Sequence, residues 1–186
     1  MKRLFLLLVV LILAGCAAKT ATQPTGEQQT TYIATLDKAL ADSKTATEAK
    51  NSMGYKMVLE TSTKKAKVGD YVVIGVMVNN LEQMPKTFFL TAEFFDAIDF
   101  SSNKITEADA ATMKTWLDAS EFSQFTIENQ KSQYVPVVIK VGEEIASGIK
   151  TKSGTYQFRI KGYYIDKHDV KKQYDTDKSV YVTVQA

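Results

Sequence analysis

Side chains able to do acid–base, nucleophilic or metal chemistry are scarce in this sequence, which holds one histidine, His168, and one cysteine, Cys16. A single histidine excludes Ser-His-Asp triads and two-histidine metal motifs. A single cysteine excludes an intramolecular disulfide. There is no nucleophile elbow, phosphate-cradling glycine loop or dinucleotide fingerprint. Hydrolysis by two carboxylates needs no fixed spacing, but the neighbours Glu143 and Glu144, beside Gly142, read most simply as solvated turn charges. The remaining cluster is acidic: Asp166, Asp169, Asp175 and Asp177 fall within one short stretch. Carboxylates are the donors calcium takes, about six to eight oxygens at a time. Lys167, Lys171, Lys172 and Lys178 are interleaved with them, and the spacing of a calcium-binding loop is absent. These aspartates are weak metal candidates, and a polar hairpin tip is the simpler reading. No cofactor is implied, and the chain reads as a non-enzyme.

The one cysteine sits at the end of a leader. Lys2-Arg3 is followed by an unbroken apolar run from Leu4 to Leu13. That run is shorter than the ~20 residues a bilayer span requires and suits the apolar region of a secretory signal. Leu13-Ala14-Gly15-Cys16 closes it. These residues resemble the lipobox of bacterial lipoproteins, found also in some archaea. The resemblance covers residues 1–16 and implies a diacylglyceryl group on the Cys16 sulfur and cleavage just before it. The alternative is an ordinary cleaved signal in which Cys16 is incidental. Two acyl chains, at about 0.8 kcal/mol per buried methylene, hold a protein on a membrane without a transmembrane helix. The expected location is the cell envelope, outside the cytoplasm.

Charge points away from nucleic acid. The formal surplus of two positive charges is supplied by Lys2 and Arg3, so the chain from Cys16 onward is formally neutral. No basic block interleaved with aromatics occurs. Residues 16–54 read as a lipid-anchored stalk. Its first part, AAKTATQPTGEQQTT, has no large apolar side chain and cannot bury enough surface to offset its ordering entropy. Within 31–42, Tyr32, Ile33, Leu36 and Leu40 recur at helical spacing. A helix this short is marginal alone in water; it would dock on the domain, pair with another copy or form transiently.

From residue 55 to 186 the period changes to two. Tyr55, Met57 and Leu59 alternate with polar residues, and Val72, Ile74, Val76 and Val78 form an apolar row after a turn at Lys67-Val68-Gly69-Asp70. Phe88, Leu90, Ala92 and Phe94 form the next row, and a weaker run spans Phe125 to Glu128. Val135, Val137, Ile139 and Val141 follow, with Pro136 marking an edge strand. Tyr156, Phe158, Ile160 and Tyr164 face inward against Gln157, Arg159 and Lys161, and Val180, Val182 and Val184 close the chain. About seven short strands with alternating faces predict an all-β, immunoglobulin-like sandwich with one inserted helix. The segments KVGDYVVIGVMVNN and SGTYQFRIKGYY look like the second and sixth strands of immunoglobulin-like modules in prokaryotic surface proteins. Tyr156 then stands where that fold places its tyrosine corner.

The inserted helix is expected at about 106–119, with Thr106-Glu107-Ala108-Asp109 as a capping box and Met113, Trp116 and Leu117 at helical spacing. Trp116, the only tryptophan, either covers an open end of the sandwich or, with Met113, meets a partner. The first strand of such a sandwich starts at the end that holds loops 79–86 and 166–177. The helix would then point away from the stalk. The expected function is a non-enzymatic envelope lipoprotein presenting its sandwich to a protein or glycan partner. The alternative is an accessory structural subunit of an envelope transport, secretion or filament assembly. An aromatic-rimmed surface favours the glycan reading, and a broad apolar patch on the inserted helix favours assembly.

Overall fold

The computed structural model describes residues 54–117 and 124–186; Cys16, the stalk and its 31–42 segment lie outside them. The chain runs β1 (Met57–Leu59), β2 (Thr63–Lys67), β3 (Tyr71–Asn79), β4 (Lys86–Ile98), α1 (Ala110–Lys114) and β5 (Gln124–Ile127). It continues through β6 (Ser132–Lys140), β7 (Glu144–Ala146), β8 (Ile149–Lys150), β9 (Gly154–Ile165), β10 (Lys171–Gln173) and β11 (Lys178–Gln185). A three-stranded sheet of order β1-β3-β6 faces a six-stranded sheet of order β2-β11-β9-β4-β5, with β10 paired to β9. β7 and β8 form a separate hairpin. The fold is an all-β sandwich.

Alternation builds the interior. One sheet contributes Val72, Ile74, Val76, Val78, Val135, Val137 and Ile139, and the other contributes Phe88, Leu90, Tyr156, Phe158, Ile160, Val180 and Val182. Each of the seven expected strands is present, but that count is imprecise, because β2, β7, β8 and β10 add to it. Among the described strands β6 pairs with β3 alone, and its other edge meets just the short Trp116-Leu117 backbone, so Pro136 does stand on an edge strand, where its missing N–H breaks no ladder. At the expected turn Gly69 takes φ +90, and the Lys67 amide donates to the Asp70 carboxylate at 2.8 Å. The turn returns the chain from one sheet to the other.

The inserted helix is much shorter than 106–119. Residues 104 and 105 are still tied to β4, through a bridge between Ile98 and Lys104 and a bond from the Ile105 amide to Ala97 O at 2.8 Å. A helix therefore cannot begin before Asp109, whose carboxylate caps it by accepting from the Thr112 amide at 2.9 Å. Asp109 spends its carboxylate on Thr112 and is itself the cap, so the capping box starting at Thr106 does not form; Glu107 pairs with Lys152 at 2.6 Å. The helix stops because Trp116 O accepts from the Lys140 amide at 2.7 Å and Leu117 bridges Ile139. This backbone extends the edge of β6 instead of winding on.

The two ends of the sandwich are distinct. At the start of β1, the Asn79 amide donates to Lys56 O at 2.9 Å, and the Met57 amide donates to Asp175 Oδ2 at 3.1 Å. The Tyr174 hydroxyl donates to Asn79 O. Loops 79–86 and 166–177 thus lie at the end where residue 54 enters, and α1 packs on β7 and β4 at the other.

Candidate functional site

Trp116 and Met113 belong to the core. Trp116 is 1% exposed and Met113 is 0% exposed. The indole Nε1 donates to Glu144 O at 3.1 Å, and its ring centroid lies 5.0 Å from that of Tyr156 and 6.4 Å from that of Phe158. Trp116 closes the open end of the sandwich, the first of the two alternatives. The expectation that these two side chains meet a partner is corrected by their burial. What α1 shows to solvent is Ala110, Ala111, Lys114 and Thr115, with no broad apolar patch. Tyr156 beside it is buried, and its hydroxyl donates to Lys152 O at 2.7 Å, four residues upstream. That is the bond a tyrosine corner makes. Burial pushes the Tyr156 hydroxyl above its ordinary pKa.

Asp166, Asp175 and Asp177 use their carboxylates within the tip or at its base. Asp166 accepts from the His168 amide at 2.8 Å and the Val170 amide at 3.0 Å, and pairs with Lys172 at 2.7 Å. The Lys172 ammonium, then the two amides, hold its carboxyl at about 2. Asp169 takes φ 57 in the turn. Asp175 pairs with Lys178 at 3.0 Å, and Asp177 accepts from Gln173 at 3.0 Å. Among the described residues no three His, Cys, Asp or Glu side chains are placed to hold a metal ion. The carboxylates of Asp166, Asp175 and Asp177 serve their own turns or lysines, and Asp169 lends the tip its backbone. His168 is exposed in the same turn.

A surface that the sequence reading passed over lies on the solvent side of the six-stranded sheet. Three aromatic doublets, Phe88-Phe89, Phe94-Phe95 and Tyr163-Tyr164, fall on the adjacent strands β4 and β9. A period of two sends one ring of each doublet inward and the other outward. Phe88 is buried, and Phe94 and Tyr164 pack against the core. Phe89, Phe95 and Tyr163 face out; Phe89 sits opposite Tyr163, and Phe95 lies at the bulge between Phe94 and Asp96. The doublets were the available signal.

Cations flank these rings. Arg159 Cζ lies 3.2 Å from the Phe95 centroid, and Lys171 Nζ lies 4.1 Å from that of Tyr163 and 6.0 Å from that of Phe89. Lys161 pairs with Glu93 at 2.6 Å, a contact that raises its pKa. Phe95 remains 45% exposed despite the stacked guanidinium. Flat rings with cations and hydrogen-bonding side chains beside them suit recognition by stacking and polar contacts. A shallow cleft of about 570 Å³ beside α1, lined by Thr112, Thr115, Gly142, Glu143 and Glu144, has no aromatic wall.

No protein-family model and no curated protein matches this chain. Solved structures resemble it at low identity. A PapD-like domain of human CEP192 is 10% identical over 70% of this chain and 85% of that one, with a TM-score of 0.43. A family 123 glycoside hydrolase from Clostridium perfringens is 15% identical over 66% of this chain and 22% of its own, also at 0.43. The class 5 fimbriae chaperone CfaA is 8% identical over 68% of this chain and 54% of its own, at 0.36.

Proposed function

We propose that this chain is a non-enzymatic lipoprotein of the cell envelope, anchored through Cys16, whose immunoglobulin-like sandwich binds a glycan or protein through the solvent face of its six-stranded sheet. The observation that carries the binding reading is the outward row Phe89, Phe95 and Tyr163 with Arg159, Lys161 and Lys171 beside it. Exposed rings on a sheet face are available to stack on a sugar or on another protein's side chains. Glycan binding is favoured over assembly through the helix, because α1 turns its large apolar side chains inward. The Cys16 anchor rests on the leader ending Leu13-Ala14-Gly15-Cys16. The immunoglobulin-like assignment rests on the two facing sheets and on the Tyr156 hydroxyl bond to Lys152 O.

The test separates the surfaces. The detergent-extracted protein is assayed for binding to isolated cell-wall glycan and for envelope proteins that co-purify with it. Phe95→Ser with Tyr163→Ser should reduce the bound fraction at least tenfold, with the β-type circular dichroism spectrum retained. Ala111→Glu with Lys114→Glu should leave it unchanged. Loss on changing α1 or residues 166–177, with the aromatic variant still binding, would contradict the proposal.

A further inference from the structure

The outer face of the six-stranded sheet is cationic, although acidic and basic side chains nearly balance over the whole sequence. In each strand the residues that alternate with the buried row point outward. The register then sets Arg159 opposite Glu93 on one side and Ser179 on the other, and Lys161 opposite Thr91. Lys65 and Lys67 lie beside Thr183 and Gln185, and Lys171 lies beside Ile165. Against these five cations the face sets two carboxylates, Glu93 and Asp96. Both are already matched, Glu93 by Lys161 at 2.6 Å and Asp96 by Lys104 at 3.1 Å. Among the described residues Arg159, Lys171, Lys65 and Lys67 hold no ion pair. The face thus keeps a surplus of positive charge directly beside its rings.

We infer that the ligand of this face is an anionic polysaccharide, its sugar rings packed on the exposed aromatic side chains and its carboxylate or phosphodiester groups held by Arg159 and Lys171. The inference rests on the binding role proposed for this face and adds the charge and the length of the ligand. Length follows from the track. Lys171 stands by Tyr163 and Phe89, Arg159 by Phe95, Tyr181 opposite Gln157, and Lys65 in the row of Thr155. From Tyr163 to Arg159 is about 13 Å and from Tyr163 to Thr155 about 26 Å, at about 3.3 Å per residue. One sugar ring covers neither distance, whereas linked sugars lying along the strands cover both. Charge follows from the unpaired cations, for which a neutral glycan has no partner group. The Arg159 guanidinium lies flat on Phe95 at 3.2 Å, so its planar fork is already oriented to meet an acidic group. The cleft beside α1 carries Glu143 and Glu144 and is the wrong sign for such a ligand. An acidic polypeptide would satisfy the cations but makes no particular use of a row of flat rings.

The detergent-extracted protein is titrated with polygalacturonate and with its methyl ester, and with phosphomannan and with neutral mannan. The two acidic polymers separate a carboxylate ligand from a phosphodiester one. At least one of them should bind tenfold or more tighter than its neutral counterpart. That preference should collapse as salt rises from about 0.1 to about 1 M, which shortens the screening length from about 10 to about 3 Å. Arg159→Gln with Lys171→Gln should abolish the preference and leave binding of the neutral polymers and the unfolding temperature unchanged. The monomeric acid sugar should compete at least a hundredfold more weakly than its polymer. Four results would overturn the inference and leave the aromatic face standing as a binding surface: equal affinity for acidic and neutral forms, no binding of any of the polymers, equally tight binding of polyglutamate, or a preference that survives Arg159→Gln with Lys171→Gln. Undiminished binding of the acidic polymer by Phe95→Ser with Tyr163→Ser would instead contradict the binding face itself.

Discussion

Replacing Trp116 tests whether this side chain is a structural plug or a partner anchor. The ring is 1% exposed, lies against Tyr156 and Phe158, and donates to Glu144 O. Trp116→Ala removes a buried aromatic from a site bounded by β-sheet, which collapses poorly, so the loss should be about 3–5 kcal/mol. The bond to Glu144 O is only partly buried, so its loss adds little to that figure. Trp116→Phe keeps most of the ring and should lose about 1–2 kcal/mol. A domain of this size has roughly 5–15 kcal/mol in total, so the Ala variant should be marginal. Its melting temperature should fall by about 12–20 °C, at about 4 °C per kcal/mol. Urea unfolding is followed by far-ultraviolet circular dichroism, since the variants lack the only tryptophan fluorophore. A Trp116→Ala loss below about 1 kcal/mol would refute the packing argument, and lost partner binding at unchanged stability would restore Trp116 as an anchor.

Three further outcomes follow from the same contacts. Tyr156→Phe should destabilise by about 0.5–1.5 kcal/mol in urea unfolding through loss of the bond to Lys152 O, and an unchanged midpoint would remove the corner assignment. Gly154→Ala should lower stability by about 1–3 kcal/mol in the same assay, because its Cβ would sit 2.3 Å from the backbone oxygen of Ile98, which cannot swing aside. The turn at 166–170 should loosen in acid. The Asp166 value of about 2 lies below that of an unfolded carboxylate, so its contribution is present above about pH 4 and lost as pH falls through about 2. The Val170 amide resonance should report that transition, and Asp166→Asn should abolish it.

The strands with a clean period of two were legible because each buries one face. β4, β9 and β11 follow the apolar rows Phe88 to Phe94, Tyr156 to Ile160 and Val180 to Val184. β2 was not legible. Its sequence TKKAK buries only Ala66, and backbone pairing with β11, in parallel, holds it in place. Lysines on such an edge also discourage pairing with other chains. β10, KKQ, is exposed throughout and exists because the 166–170 turn folds it back on β9. The helix was misjudged for a tertiary reason. Its pattern of Met113, Trp116 and Leu117 was sound, but bonds to β4 delay its start and bonds to β6 consume its end. The aromatic surface was written in the sequence as doublets; a reading that tracks only inward residues discards the outward ring of each pair. The same habit hid Val73, Met77 and Val138, which alternate with the inner valines and are themselves buried.

The central claim is a binding sandwich held at a membrane by one sulfur. Its most direct measurement is the intact mass and detergent partitioning of the membrane-extracted protein, compared with Cys16→Ser. The account predicts a wild-type polypeptide that begins at Cys16, carries the added mass of a diacylglyceryl group and enters the detergent phase. The Cys16→Ser protein should be soluble outside the cytoplasm or accumulate as uncleaved precursor. A wild-type mass without lipid, or a Cys16→Ser protein that remains equally bound to the membrane, would contradict it.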